Sequence, residues 1–194
     1  GGNGTFTPNN AALNASYMPS VSEIAAGTVS LTLTTVGNGT CSPVSDQVVI
    51  TITPSPIVDA GAALTSCANN PAAQLAGSVQ NATGGIWSGA GTFSPSAANL
   101  SAIYTPSAAE VLAGSATITL TSTGNGLCNA VADRVVLTIT AAPIVEAGTP
   151  QSLCANNAVV HLGGQVINAT GGTWSGGAGA FMPNASALNA AYTP

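Results

Sequence analysis

Lysine is missing altogether from this 194-residue sequence, and Arg134 is its one arginine. Nucleic acids and anionic membranes are held by clustered Lys and Arg, so neither is an expected partner. Charged residues make up 4% of the chain, against about 25% in ordinary domains. Low charge often accompanies disorder, but here 45% of residues are apolar, enough for a packed core. No apolar run reaches the ~18 residues of a membrane helix, so no membrane insertion is expected in this stretch. There is one histidine, His161, and there are six acids, too few for a dense metal or acid–base constellation. The sequence also lacks an initiator methionine, a leader and an anchor; for a secreted protein these are expected outside the stretch given.

What is present repeats. "ATGGIWSGAGTFSP" at 82–95 returns as "ATGGTWSGGAGAFMP" at 169–183, and the chain opens on "GGNGTFTP", the tail of the same phrase. Cys41 and Cys128 are 87 residues apart, as are Cys67 and Cys154, Tyr17 and Tyr104, Trp87 and Trp174, and Pro56 and Pro143. Phe93 and Phe181 are 88 apart because "SGGAGAF" carries one more residue than "SGAGTF". A period of this length is that of a small β-domain. Counted from the Pro-Ile-Val phrase, 57–143 is one complete unit, 1–56 the C-terminal part of a unit before it, and 144–194 the N-terminal part of one after it. Residues 1–20 and 175–194 cover the same part of the repeat, so the sequence reads as a window on a longer array.

The acids fall on three repeat positions: Glu23 with Glu110, Asp46 with Asp133, and Asp59 with Glu146. In "PSVSEIAAGT" and "PSAAEVLAGS", Ser20 or Ser107 stands three residues before the glutamate, and Gly27 or Gly114 follows. That is a capping box with a terminating glycine, the mark of one short helical turn. Asp46 and Asp133 read as lying just before the last strand, and Asp59 and Glu146 near each junction. Calcium between domains would need six or more oxygen ligands, so turn and edge roles are the expectation and no cofactor is assigned.

The complete unit reads as strands at 62–67, 72–79, 84–89, 91–94 and 101–105, then the capped turn, then 115–123 and 133–140. In "SATITLTST" threonines alternate with Ile118, Leu120 and Ser122, which places apolar residues on one face. Gly-Asn-Gly at 37–39 and 124–126 suits backbone with positive φ. About seven short strands with one tryptophan describe an all-β fold, tandem immunoglobulin-like β-sandwich repeats. Trp87, Trp174, Tyr104 and Phe93 are the expected aromatic core. His161 has Gln74 as its counterpart, so it has no role common to every repeat. The glycine-rich phrase beside each tryptophan is no phosphate loop, since no Lys follows and no helix begins there.

The ordered phrases "GGIWSGAGTFSPSAANLSAIYTPSAAEVLAGSATITLTSTGNGLC" and "PIVEAGTPQSLCANN" resemble the tandem immunoglobulin-like or PKD-like repeats of giant Bacteroidota cell-surface proteins. The resemblance spans the whole chain. It implies export, often by type IX secretion, a place outside the cell at its surface, and service as stalk, adhesin or fibre. It implies no catalytic residues.

Four cysteines in an extracellular chain point to disulfides. Pairing Cys67 with Cys128 joins two turns at opposite poles of a sandwich, farther apart than the ~7 Å a disulfide allows. A bond between neighbouring units would use partners outside the window. Pairing Cys41 with Cys67 and Cys128 with Cys154 would require the chain to double back at each junction. Connectivity stays open among these. Seven Asn-X-Ser/Thr sequons occur, at Asn3, Asn14, Asn38, Asn81, Asn99, Asn168 and Asn184; such triplets arise freely in a chain rich in Asn, Ser and Thr. The expected function is a non-catalytic structural array of a surface filament, its partners copies of itself. The alternative is an adhesin stalk or binding module for glycans or other cell surfaces.

Overall fold

The computed structural model describes residues 2–194. Residues up to 56 form strands β1 (Thr5–Thr7) and β2 (Ser16–Met18), helix α1 (Val21–Ala26), β3 (Thr28–Thr34) and β4 (Ser45–Thr51). Next come β5 (Ile57–Asp59), β6 (Leu64–Cys67), β7 (Ala73–Gln74), β8 (Ser78–Gln80), β9 (Gly84–Ser88), β10 (Thr92–Ser94), β11 (Ile103–Thr105), helix α2 (Ala108–Ala113), β12 (Ser115–Thr123) and β13 (Ala132–Thr140). The last stretch holds β14 (Ile144–Glu146), β15 (Val160–His161), β16 (Gln165–Ile167), β17 (Ala180–Met182) and β18 (Ala191–Thr193).

Residues 57–143 build a two-layer β-sandwich. One layer is the sheet β6-β13-β12-β9, in which β6 runs parallel to β13 and the other neighbours are antiparallel. The other is β10-β11-β7 with the β5–β8 pair beside it. Alternation along β12 sends Ala116, Ile118, Leu120 and Ser122 inward, and β13 sends in Val135, Leu137 and Ile139. From the facing layer Ala60, Leu75, Ala102 and Tyr104 complete one buried cluster around Trp87. Burying such side chains at about 25 cal/mol per Å² drives the fold.

Two details differ from the sequence reading. The expected strand 72–79 is split into β7 and β8, which pair with different strands, β11 and β5. Between them a Cβ at Gly77 would lie 2.6 Å from Trp87 Cζ2 and 2.7 Å from Leu120 Cδ2. The chain therefore passes too close to the core for a side chain. The Pro-Ile-Val phrase, which in the sequence marks only the period because three residues carry no periodicity, forms strand β5. With it, 57–143 contains nine strands rather than about seven. Asp46 and Asp133 lie inside β4 and β13, one residue in from the start, not before them.

The flanking stretches carry the same elements in part. β1–β2 and the β3–β4 hairpin correspond to β10–β11 and β12–β13. β14–β16 and β15-β18-β17 correspond to β5–β8 and β7-β11-β10. Residues around Trp174, counterpart of β9, form no strand, because the partner that β12 supplies has no counterpart there.

Candidate functional site

Three residue groups recur and concern how the fold is held. The first surrounds the glutamates. Ser107 Oγ accepts from Glu110 N at 3.3 Å, and Ser107 N donates back to Glu110 Oε2 at 2.8 Å, closing a capping box, while Gly114 ends α2 at φ 76°. Ser20, Glu23 and Gly27 repeat this on α1. The glutamate does more than cap. Tyr104 OH donates to both Glu110 oxygens at 2.8 and 2.9 Å and accepts from Gly91 N at 2.9 Å. Tyr17 does the same with Glu23 and Gly4 N, and Asn3 N adds a further donor to Glu23. The side chain thus ties the helix to the strand that precedes it and to the β9–β10 turn or its counterpart.

The electrostatics follow from these bonds. The Ser20 backbone N–H leads a set of donors that hold the Glu23 carboxyl down at about 2, against the burial that opposes them. Burial pushes the Glu110 carboxyl up, but N–H and O–H donors from Ser107, Tyr104 and Ala90 outweigh it and leave it below the ordinary range. Burial and the Glu110 bond push the Tyr104 phenol up to about 12. Tyr104 is fully buried and both oxygens of the half-buried Glu110 carboxylate accept hydrogen bonds from the fold itself. Sequence reasoning found the cap and missed the tyrosine. The signal was available: Tyr17–Glu23 and Tyr104–Glu110 recur at the same six-residue spacing.

The second group is aromatic. Trp87 is 2% exposed and donates Nε1–H to Leu100 O. Tilted Phe–Tyr pairs recur three times, at 4.7 Å for Phe6–Tyr17, 5.0 Å for Phe93–Tyr104 and 4.9 Å for Phe181–Tyr192. Trp174 donates Nε1–H to Ala187 O, one residue before Leu188, the counterpart of Leu100, and is only half-buried beside a groove lined by Val145, Val166 and Leu188. In 57–143 the equivalent space is filled by Leu120, which packs on Gly77 and Trp87. Leu120 has no counterpart within residues 144–194.

The third group lies at the two junctions. Asn81 adopts φ 57° and its Nδ2 donates to Ser55 O at 3.0 Å; Asn168 adopts φ 59° and donates to Ala142 O, also at 3.0 Å. Two sequon asparagines are therefore linker clasps. Asp133 Oδ2 accepts from Ala60 N at 2.9 Å, fastening the chain after β5 to β13, and the Ala60 and Arg134 N–H groups hold its carboxyl below the usual range. Cys128 Sγ lies 3.4 Å from Thr53 Oγ1 and 3.6 Å from Pro54 O. Cys67 sits at the other pole, paired with Thr140 at the end of β13. Cys41 and Cys154 are exposed, and all four thiols are unpaired. His161 is exposed on β15. Among the described residues no three His, Cys, Asp or Glu side chains are grouped to hold a metal, and no helix is long and apolar enough to cross a membrane.

No family model and no curated protein matches the chain. Among solved structures, the extracellular cadherin domains 1–4 of protocadherin gamma B7 align with 92% of this chain at 14% identity and a TM-score of 0.41. The chain spans about half, 51%, of that structure's length. The assignment as an all-β protein of tandem immunoglobulin-like sandwiches rests on the strand pairing described above.

Proposed function

We propose that the chain is a stretch of a tandem array, with units dividing at 56/57 and 143/144, and that the array is a non-catalytic structural part of an extracellular bacterial surface filament. The observation that carries this reading is the sameness of the two junctions: an αL asparagine at the same repeat position clasps the linker carbonyl at the same distance both times. A junction built twice alike favours a regular rod over beads on a loose string, because each unit then inherits the same orientation to the next. The partners in this reading are further copies of the repeat.

Composition supports the same role. Neutral Thr, Asn and Ala surfaces pack closely with few salt-sensitive contacts, and a single Arg leaves trypsin-like proteases little to cut. The resemblance to repeats of giant Bacteroidota surface proteins supports the place, outside the cell after type IX export. Cryo-electron microscopy of the native material tests the reading. Continuous filaments with an axial period of one or two units are expected. Dispersed, flexible strings would make the chain an adhesin stalk and move the search for function to a tip that binds glycans or other cells.

A further inference from the structure

We infer that, in such an array, the cysteine at the Cys67 position of one unit is disulfide-bonded to the cysteine at the Cys128 position of the unit that follows. The inference rests on the array reading and adds a covalent staple to each junction.

Within one unit the bond cannot form. Cys67 stands level with Thr140, and Cys128 precedes Ala132 at the far end of the same strand. Eight residues of extended chain separate those levels by about 27 Å, whereas disulfide-bonded Cα atoms lie within about 7 Å. Across a junction the geometry reverses. Cys128 rests on Thr53, its sulfur 3.4 Å from the threonine hydroxyl. Thr53 is the counterpart of Thr140 in the repeat, and Thr140 is the register partner of Cys67 in the parallel pair β6–β13. A preceding unit with its own first half would therefore place its Cys67 counterpart beside Thr53, about 5 Å away across the sheet. Both cysteines converge on one threonine from the two sides of the junction. The counterpart of Cys67 at the first junction and that of Cys128 at the second fall outside residues 1–194, so neither junction holds a complete pair.

The bond forms by exchange with a disulfide-donating oxidant. One thiolate attacks the donor, giving a mixed disulfide, and the second thiolate displaces the donor's remaining sulfur. The pair gives up two protons and two electrons, and the donor leaves as two thiols.

Residues 57–143 contain the whole buried cluster, so two copies in tandem make a folded test protein. After oxidation by glutathione disulfide, two of its four thiols should remain alkylatable. C67S in the first copy should raise that to three, and C67S in the second copy should lower it to one. Four free thiols in the folded parent, or a bond within one copy, would overturn the staple. A separate variant of the 194-residue chain, Thr53→Cys, should bond to Cys128 on oxidation. If that bond forms while the tandem keeps four thiols, the staple is wrong and the junction contact stands; if neither forms, the junction itself is wrong.

Discussion

Residues 57–143 and the stretches on either side use nearly the same phrases and reach different degrees of burial. Leu120 and Val135 are 0% and 2% exposed, while their counterparts Leu33 and Val48 are 62% and 56% exposed. Trp87 is buried and Trp174 is not. The difference is not in the residues but in which half of the unit accompanies them. Hairpin β3–β4 is accompanied by β1–β2 but by no counterpart of β5–β9, and 144–194 has no counterpart of β12–β13. A sandwich buries its core only between two layers, so each half of this repeat is defined by the half it lacks.

The comparison can be broken first at the tryptophans. Trp87→Ala should destabilise 57–143 by roughly 3–5 kcal/mol, and Trp174→Ala should cost its own stretch under about 1.5 kcal/mol, because less area leaves water. Urea unfolding followed by the amide NMR signals of each stretch reads each. Gly77→Ala and Gly164→Ala sharpen the contrast. The first drives a methyl onto both Trp87 and Leu120 and should cost about 1–3 kcal/mol. The second meets Trp174 and the Leu188 carbonyl but no counterpart of Leu120, and should cost less in the same assay.

The glutamate–tyrosine pair predicts a pH dependence shared by both stretches that contain it. A carboxyl lowered in the folded state stabilises above its unfolded value of 4.5 and loses that contribution as it protonates. Stability should therefore fall between about pH 4.5 and about pH 2, the folded value of Glu23. The Tyr104 phenol, raised from 10.0 to about 12, holds its contribution below pH 10 and loses it as the pH climbs through 12. Glu110→Gln should flatten the acid limb of 57–143 in thermal melts across this range, at a cost of about 1–2 kcal/mol near neutrality. The smallest effect is expected at the junctions: Asn81→Ala removes one linker bond and an αL-tolerant residue, about 1 kcal/mol. Faster amide exchange in Ser55–Ile57 should report it, with the core unchanged.

Much of this was legible because it depends on local pattern. Ser20 and Glu23, then Gly27, spell a capped helix in any context, and the Thr/apolar alternation of β12 states which face is inside. The period told which residues correspond. What stayed hidden depends on contacts distant in sequence. Nothing near Gly77 announces that Trp87 and Leu120 crowd it, three-residue β5 has no period to read, and Asn81 looks like a sequon until its side chain meets Ser55. Trp174 teaches the same lesson from the other side. Its phrase is that of β9, yet no strand forms without the edge that β12 provides, since a strand is a property of a pair.

The central claim is that the groove beside Trp174 is the seat of a β12–β13 hairpin. Extending the chain after Pro194 with a second copy of residues 107–143, in a Trp87→Phe background, tests it directly through Trp174 emission and quenching. The account predicts a blue-shifted emission that acrylamide no longer quenches. An emission as red and as quenchable as in the unextended chain would contradict it.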